Sequence, residues 1–235
     1  MLAVIKRLYR AAVTLDHEVR KVVEFTRCVC AGRVHECKVV EVGCGYGRYL
    51  RRLNDLGFDV VGVDVNPDVV HANREAGLRC LTTEEFRQSN ELYDVLLLSH
   101  VIEHFTPGDL VTFMDGCLDR VKVGGHVVVA TPLFTRFFYD DFDHVKPYNP
   151  VGFMMVFGEN RAQVQYYARN KLRLEDIWIR RGHWRFAHRR SRYLRSPVWR
   201  LWQLLEFCSA MTFRLSAGVI GQADGWVGLF QKTVR

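Results

Sequence analysis

The 235-residue sequence has no apolar run long enough to span a membrane as a helix; its uncharged windows near Phe207–Phe213 and Leu215–Ala223 are short and are split by Arg214. It has no CxxC pair, although it has seven cysteines, at 28, 30, 37, 44, 80, 117 and 208. Without zinc-ligand spacing, Cys28, Cys30 and Cys37 are not expected to hold a metal. An odd count with no disulfide-framework spacing points to a reduced compartment. The order of Met1–Arg7, a short apolar run followed by Lys6 and Arg7, is not that of a secretory leader, so a cytoplasmic location is expected. There is no internal repeat and no low-complexity linker. Acidic residues are scarce in one place: residues 180–200 contain eight arginines and no Asp or Glu.

What is present is close to half hydrophobic, at 49%, which is enough for a sizeable core and argues against disorder. The net charge of +7 is uneven. Residues 160–235 carry 15 Lys/Arg against 4 Asp/Glu, and the preceding residues carry 18 against 22. A mildly acidic body with a basic end suggests an anionic partner for that end, or a solvated surface.

The first 37 residues read as helical. Leu2, Ile5, Leu8 and Tyr9 recur at helical spacing, and a second helix is predicted from Asp16 to about Cys30. From Lys38 the pattern alternates. Strands are predicted at Lys38–Val42, Phe58–Val63, Leu78–Leu81, Asp94–Ser99 and His126–Ala130. Helices are predicted at Arg48–Leu56, from Pro67 to Gly77, and at about Asp109–Val121. Such alternation implies a parallel sheet with right-handed crossovers. Residues 133–150 read as an aromatic loop, 150–170 as helical and Leu172–Ile179 as a strand. A helix is predicted at about Val198–Phe213 and a last strand at Gly225–Gln231. The domain organisation expected is an N-terminal helical cap over 1–37 and a body over 38–235, with a basic and aromatic insertion at 183–224.

The chain is organised around Glu41-Val42-Gly43-Cys44-Gly45-Tyr46-Gly47, a strand end, a glycine turn and a helix start. Glycines let a ligand approach the backbone. A dinucleotide fingerprint needs a small residue at position 48, which here is Arg, so a pyrophosphate is disfavoured. Glu41 before the turn suits a cationic group. Asp64 at the tip of the second strand suits ribose hydroxyls. The residues point to an adenosine ligand with a positively charged attachment and no phosphate.

On these residues the chain resembles the class I S-adenosylmethionine-dependent methyltransferases, of the type-11/type-23 domain group. Four segments carry the likeness in the family's order: Val39–Gly47, Val61–Asp68, Tyr93–Phe105 and Val123–Pro132. The resemblance implies a Rossmann-like three-layer α/β sandwich, with a seven-stranded, mostly parallel sheet and an antiparallel last strand. It implies S-adenosyl-L-methionine as cofactor, with Glu41 near the methionyl amino group, Gly43, Cys44 and Gly45 along its backbone, Asp64 on the ribose, Val65 against the adenine, and Ser99 and His100 lining the methionyl side. The family often has Asp after strand three, where this chain has Thr82-Thr83.

Two further segments bear on the acceptor. His100-x-x-Glu103-His104 matches an inverted zinc-peptidase pattern, but His100 ends a strand, so the two histidines should not share a helix face and no metal is expected. Asp140–Tyr148 resembles a D-x-x-H-V-K/R-P-Y segment of some of these methyltransferases. His144 is the candidate base, with Arg136, Tyr139 and Tyr148 as candidate acceptor contacts. The expected acceptor is a small molecule or a lipid- or sugar-linked group, methylated on oxygen. RNA, through the Arg-rich run, and a non-catalytic cofactor-binding role are the alternatives. That run also fits an anionic membrane surface, which makes a membrane-peripheral location compatible with the sequence. Oligomeric state is not read from these patterns.

Overall fold

A computed structural model describes residues 17–160, 163–186, 193–194 and 198–234. The expected first helix and Arg189, Arg190, Arg192 and Arg195 lie outside the described residues. The chain divides into two compact units, one of Glu18–Trp178 with Gly225–Arg235 and one of Met1–His17 with Ile179–Asp224.

In the larger unit, α1 (His17–Val29) precedes β1 (Lys38–Val42), α2 (Arg48–Asn54), β2 (Asp59–Asp64), α3 (Pro67–Glu75), β3 (Cys80–Thr82), α4 (Thr83–Gln88), β4 (Tyr93–Ser99), α5 (Pro107–Leu118), β5 (Val121–Pro132) and α6 (Pro150–Phe157). β6 (Lys171–Gly182), α7 (Trp199–Leu215) and β7 (Gln222–Val234) follow. The sheet order is β3-β2-β1-β4-β5-β7-β6. β1 pairs in parallel with β2 and β4, and β7 runs antiparallel to β5. This is the expected Rossmann-like α/β sheet, with β7 slotted between β5 and β6.

The central strands are covered on both faces. Val40, Val42, Leu96, Leu98, Val127 and Val129 belong to one buried cluster, with Leu110, Met114, Phe153 and Phe157 from α5 and α6. Val39, Val95, Leu97 and Val128 belong to the other, with Val22, Phe25, Leu50 and Leu53 from α1 and α2. Successive strand residues thus alternate between two apolar layers, which is why the strands read as continuous hydrophobic runs. Each fully buried side chain of this kind is worth roughly 1.5–3 kcal/mol.

Local signals set the helix starts. Asn66 accepts from the Asp68 N–H with Pro67 in the first turn, and Thr106 caps α5 ahead of Pro107. The stretch after β3, for which no element was predicted, is the helix α4. Thr82 and Glu85 form a reciprocal capping box on it. The T-x-x-E spacing was the signal for it. β5 begins at Val121, where a helix was expected to continue, because Val121 pairs with Tyr93 across a register shift. Among the described residues, helix over 150–170 is confined to α6, which ends at Gly158. Cys30 and Cys37 are joined in a disulfide, which corrects the expectation of unpaired thiols there.

In the smaller unit the Arg180 guanidinium donates to Asp224 at 2.8 Å. Helix α7 leaves Leu201, Leu204, Leu205 and Phe207 exposed.

Candidate active site

The glycine turn sits where β1 passes into α2. Gly43 N–H and Cys44 N–H both donate to Val63 O, at 2.8 and 3.1 Å, which holds the turn against the end of β2. Gly43 has φ +77°, and a Cβ there would stand 2.4 Å from Val101 Cγ2. Only glycine satisfies both constraints. Gly45, at φ +50°, has open space where a Cβ would be. The turn therefore presents bare backbone to a ligand. The Cys44 thiol points the other way. It lies 3.6 Å from Cys80 Sγ, and both cysteines are buried. Cys44 thus offers a ligand its backbone rather than its sulfur. Within this pair, hydrogen bonding from Cys44 and Asn73 lowers the Cys80 thiol, and the hydrogen bond to Cys80 and burial push the Cys44 thiol up.

Asp64 spans two loops. One carboxylate oxygen accepts from Gly45 N–H and the other from Asn66 N–H, both at 2.9 Å. A carboxylate has about four lone-pair positions, so these bonds orient it and leave capacity for hydroxyls. Val65, beside it, is 81% exposed.

Glu41 is buried. One side of its carboxylate takes the Leu50 backbone N–H in the first turn of α2. Its Oε2 has no hydrogen-bond partner. Burial pushes its pKa well above the carboxylate range. A buried acid with an unused oxygen beside an open glycine turn is a place for a cation. The bare turn, the oriented Asp64 and this oxygen together fit an adenosine carrying a positively charged chain.

At the tip of β4, Ser99 is buried and lies beside the Tyr49 hydroxyl. His100 follows with φ 55°. Its Nε2 is 2.9 Å from Glu18 Oε1 and its Nδ1 is 3.3 Å from Glu103 Oε1. Burial lowers its pKa, but hydrogen bonds and charge from Glu103 and Glu18 outweigh that and raise it to about 9. His100 is therefore an imidazolium at neutral pH, clamped between two carboxylates. Sequence reasoning missed Glu18, which lies far away in the chain and only tertiary packing brings to β4.

The loop after β5 is tied to this tip. Val145 and Lys146 N–H both donate to Glu103 O. His144 Nδ1 is 2.7 Å from Phe138 O, and its ring packs on Phe138 at 4.5 Å between centroids. A carbonyl only accepts, so Nδ1 carries the proton and Nε2 keeps a lone pair. Asp141 Oδ2 is 3.8 Å from that Nε2. Tyr139 is exposed, and the Arg136 guanidinium lies over the Phe137 ring. Tyr148 departs from expectation. It is buried, its hydroxyl donates to Phe105 O at 3.0 Å, and its carbonyl accepts from Trp226 Nε1 at 2.8 Å. It anchors the loop in the core, with its hydroxyl taken up by Phe105 O.

A cleft of about 740 Å³ runs between the sheet and helices α4 and α5, with Val42, Val63, Phe86 and Phe105 in its lining beside the charged Arg87, Asp109, Asp119 and Arg120. It starts one residue inside Gly43 and Asp64. Among the described residues no helix is long and apolar enough to cross a membrane.

A family model described as a methyltransferase domain (the type-23 group) matches residues 10–204. Among curated proteins, the ubiquinone biosynthesis O-methyltransferase of Rhodopseudomonas palustris (strain BisB18) is 34% identical over 102 residues, which are 40% of this chain and 39% of that protein. The chain thus spans about two fifths of the length of the curated relatives it matches. Among solved structures, an S-adenosylmethionine-dependent methyltransferase from Archaeoglobus fulgidus has a TM-score of 0.54 at 19% identity, covering 91% of this chain and 94% of that one. Magnesium protoporphyrin IX methyltransferase from Synechocystis PCC 6803, solved with bound S-adenosylmethionine, has a TM-score of 0.55 at 11% identity, covering 92% and 80%. The chain belongs to this methyltransferase domain family and has the class I S-adenosylmethionine-dependent methyltransferase fold.

Proposed function

Starting from that membership, we propose that the protein transfers a methyl group from S-adenosylmethionine to a hydroxyl oxygen of a small-molecule acceptor. The observation that carries the reading is the bare glycine turn and unused Glu41 oxygen, together with a His144 of fixed tautomer on the loop after β5. The partial match to ubiquinone O-methyltransferases supports oxygen as the acceptor atom and a small molecule as its carrier.

S-adenosylmethionine, when bound, supplies a methyl group already activated on a sulfonium. Gly43, Cys44 and Gly45 would hold its methionyl backbone, Glu41 its ammonium, Asp64 its ribose and Val65 its adenine. What the chain must add is alignment, and a group that takes the acceptor's proton. His144 suits that task, because Phe138 O fixes its tautomer and leaves Nε2 as the acceptor of a proton. Arg136 and Tyr139 stand on the same loop as acceptor contacts. His100, His104 and Thr131 do not approach a hydroxyl as bases in this reading. His100 and Thr131 hold the β4 tip through Glu103, and His104 holds the loop through Asp143 O.

The exposed Leu201, Leu204 and Leu205 of α7, on a unit rich in arginine, favour a peripheral contact with an anionic membrane over RNA. The test of function is a screen of phenolic and catecholic acceptors with labelled S-adenosylmethionine, against His144→Ala. Methylation confined to nitrogen or carbon acceptors overturns the reading.

A further inference from the structure

We propose that Glu103, His104 and His144 form a divalent-cation site of the zinc type, open toward the acceptor. The sequence pattern set His104 against His100 and argued against a metal. In the structure His100 is taken up by Glu18 and Glu103, and His104 faces His144, with ring centroids 5.1 Å apart.

One ligand atom from each of Glu103, His104 and His144 lies within 4.8 Å of the other two. A cation at the centre of such a triangle stands at most about 2.8 Å from each atom, against roughly 2.0–2.2 Å for bound zinc. Side-chain shifts of about 0.7 Å each would close the difference.

The surroundings have the organisation of a ligand set. His104 Nδ1 is 3.0 Å from Asp143 O, and His144 Nδ1 is 2.7 Å from Phe138 O. Both partners are backbone carbonyls, so both Nδ1 atoms carry protons and both Nε2 atoms keep lone pairs. Metal-ligating histidines are held in this way, the far ring N–H donating to a carbonyl or carboxylate. The Glu103 carboxylate is fully buried, with Oε2 accepting from the Thr131 hydroxyl at 2.9 Å and Oε1 beside His100. The two segments that supply the ligands are pinned together, since Glu103 O accepts from Val145 and Lys146 N–H, one and two residues past His144. Two imidazoles and one carboxylate suit zinc and neighbouring transition metals, and they leave coordination positions for a further ligand. Asp141, 3.8 Å from His144 Nε2, stands at the edge of the site.

This inference deepens the reading of a hydroxyl acceptor and rests on it only for the use of the cation. A bound cation would hold the acceptor oxygen at the position from which His144 was assigned to take a proton. A cation-bound hydroxyl is more acidic than a free one; it would lose its proton to solvent water as the methyl moves to oxygen, and His144 would then serve as ligand.

The full chain, stripped with a chelator and dialysed, is titrated with Co²⁺ and then Zn²⁺. One equivalent of cobalt should bind with visible d–d absorption and be displaced by zinc. His104→Ala and His144→Ala should each weaken binding by more than the roughly 10–100-fold that outer-shell changes cost, while calorimetry shows S-adenosylmethionine still bound. If a variant loses the cofactor as well, the wild-type chain is treated with diethyl pyrocarbonate, and zinc should protect His104 and His144 from modification. No bound cobalt, cobalt retained in both variants, or no protection by zinc overturns the site. Methylation of hydroxyl acceptors that continues with no bound metal overturns it too, and leaves the acceptor reading intact. Bound metal with no hydroxyl acceptor methylated does the reverse.

Discussion

Glu41→Gln separates the cofactor reading from a purely structural role for this acid. In the protein without ligand, burial holds the Glu41 carboxyl well above its ordinary range, and its Oε2 has no partner. Glutamine keeps the shape and an oxygen for the Leu50 N–H. A folded-state pKa that is raised means stability present below the unfolded value, about 4.3, and lost as pH rises through the folded value. The wild-type chain should therefore lose stability over that rise, and the glutamine variant should not. The ligand reverses the balance. A methionyl ammonium beside Glu41 favours the ionised form, and a hydrogen bond to a charged group is worth about 1.5–3 kcal/mol. The variant should bind S-adenosylmethionine about 10- to 150-fold more weakly at neutral pH. While Glu41 is protonated in the free protein, binding should release its proton, so wild-type affinity should rise with pH and the variant should lack this component. Calorimetry in two buffers of different ionisation enthalpy counts the protons released. Equal affinity and equal proton release in the two proteins would refute the assignment of Glu41 to the ammonium.

Other perturbations test neighbouring parts. Asp64→Ala removes the acceptor of Gly45 and Asn66 N–H along with the proposed ribose contact, and should weaken cofactor binding roughly 10- to 100-fold by calorimetry. Gly43→Ala places a methyl group 2.4 Å from Val101 Cγ2 at φ +77°; chemical denaturation should show a loss of about 1–3 kcal/mol from the backbone strain alone. His144→Ala should reduce turnover about 10²- to 10⁴-fold and leave S-adenosylmethionine affinity unchanged, whether it acts as base or as metal ligand. Trp226→Phe leaves the Tyr148 carbonyl without its buried donor and should cost about 1–3 kcal/mol in urea unfolding, with the loop after β5 more open to proteolysis.

Much of the fold could be read from periodicity. Strands buried on both faces gave runs such as Val95–Leu98, and the caps at Asn66 and Thr106 stand next to Pro67 and Pro107. Errors arose where a short-range signal lost to a long-range one. β5 extends back to Val121 because Tyr93 pairs with it, and helical spacing past Phe157 ends at Gly158. Tyr148 was misplaced because an aromatic residue in a glycine-poor loop reads the same whether it faces a cleft or plugs the core; the Trp226 N–H, 78 residues away, decides it.

The proposed cofactor side of the site is legible in the sequence itself. Glu41, Gly43, Gly45 and Asp64 lie at strand ends and turns, where chain geometry fixes position once the strands are placed. The proposed acceptor side depends on tertiary structure. Glu18 against His100, His104 against His144, and Glu103 under Val145 and Lys146 are contacts between residues distant in the chain, or between neighbours turned in different directions. No local periodicity encodes them, because they exist only after the sheet has set the β4 tip beside the loop that follows β5.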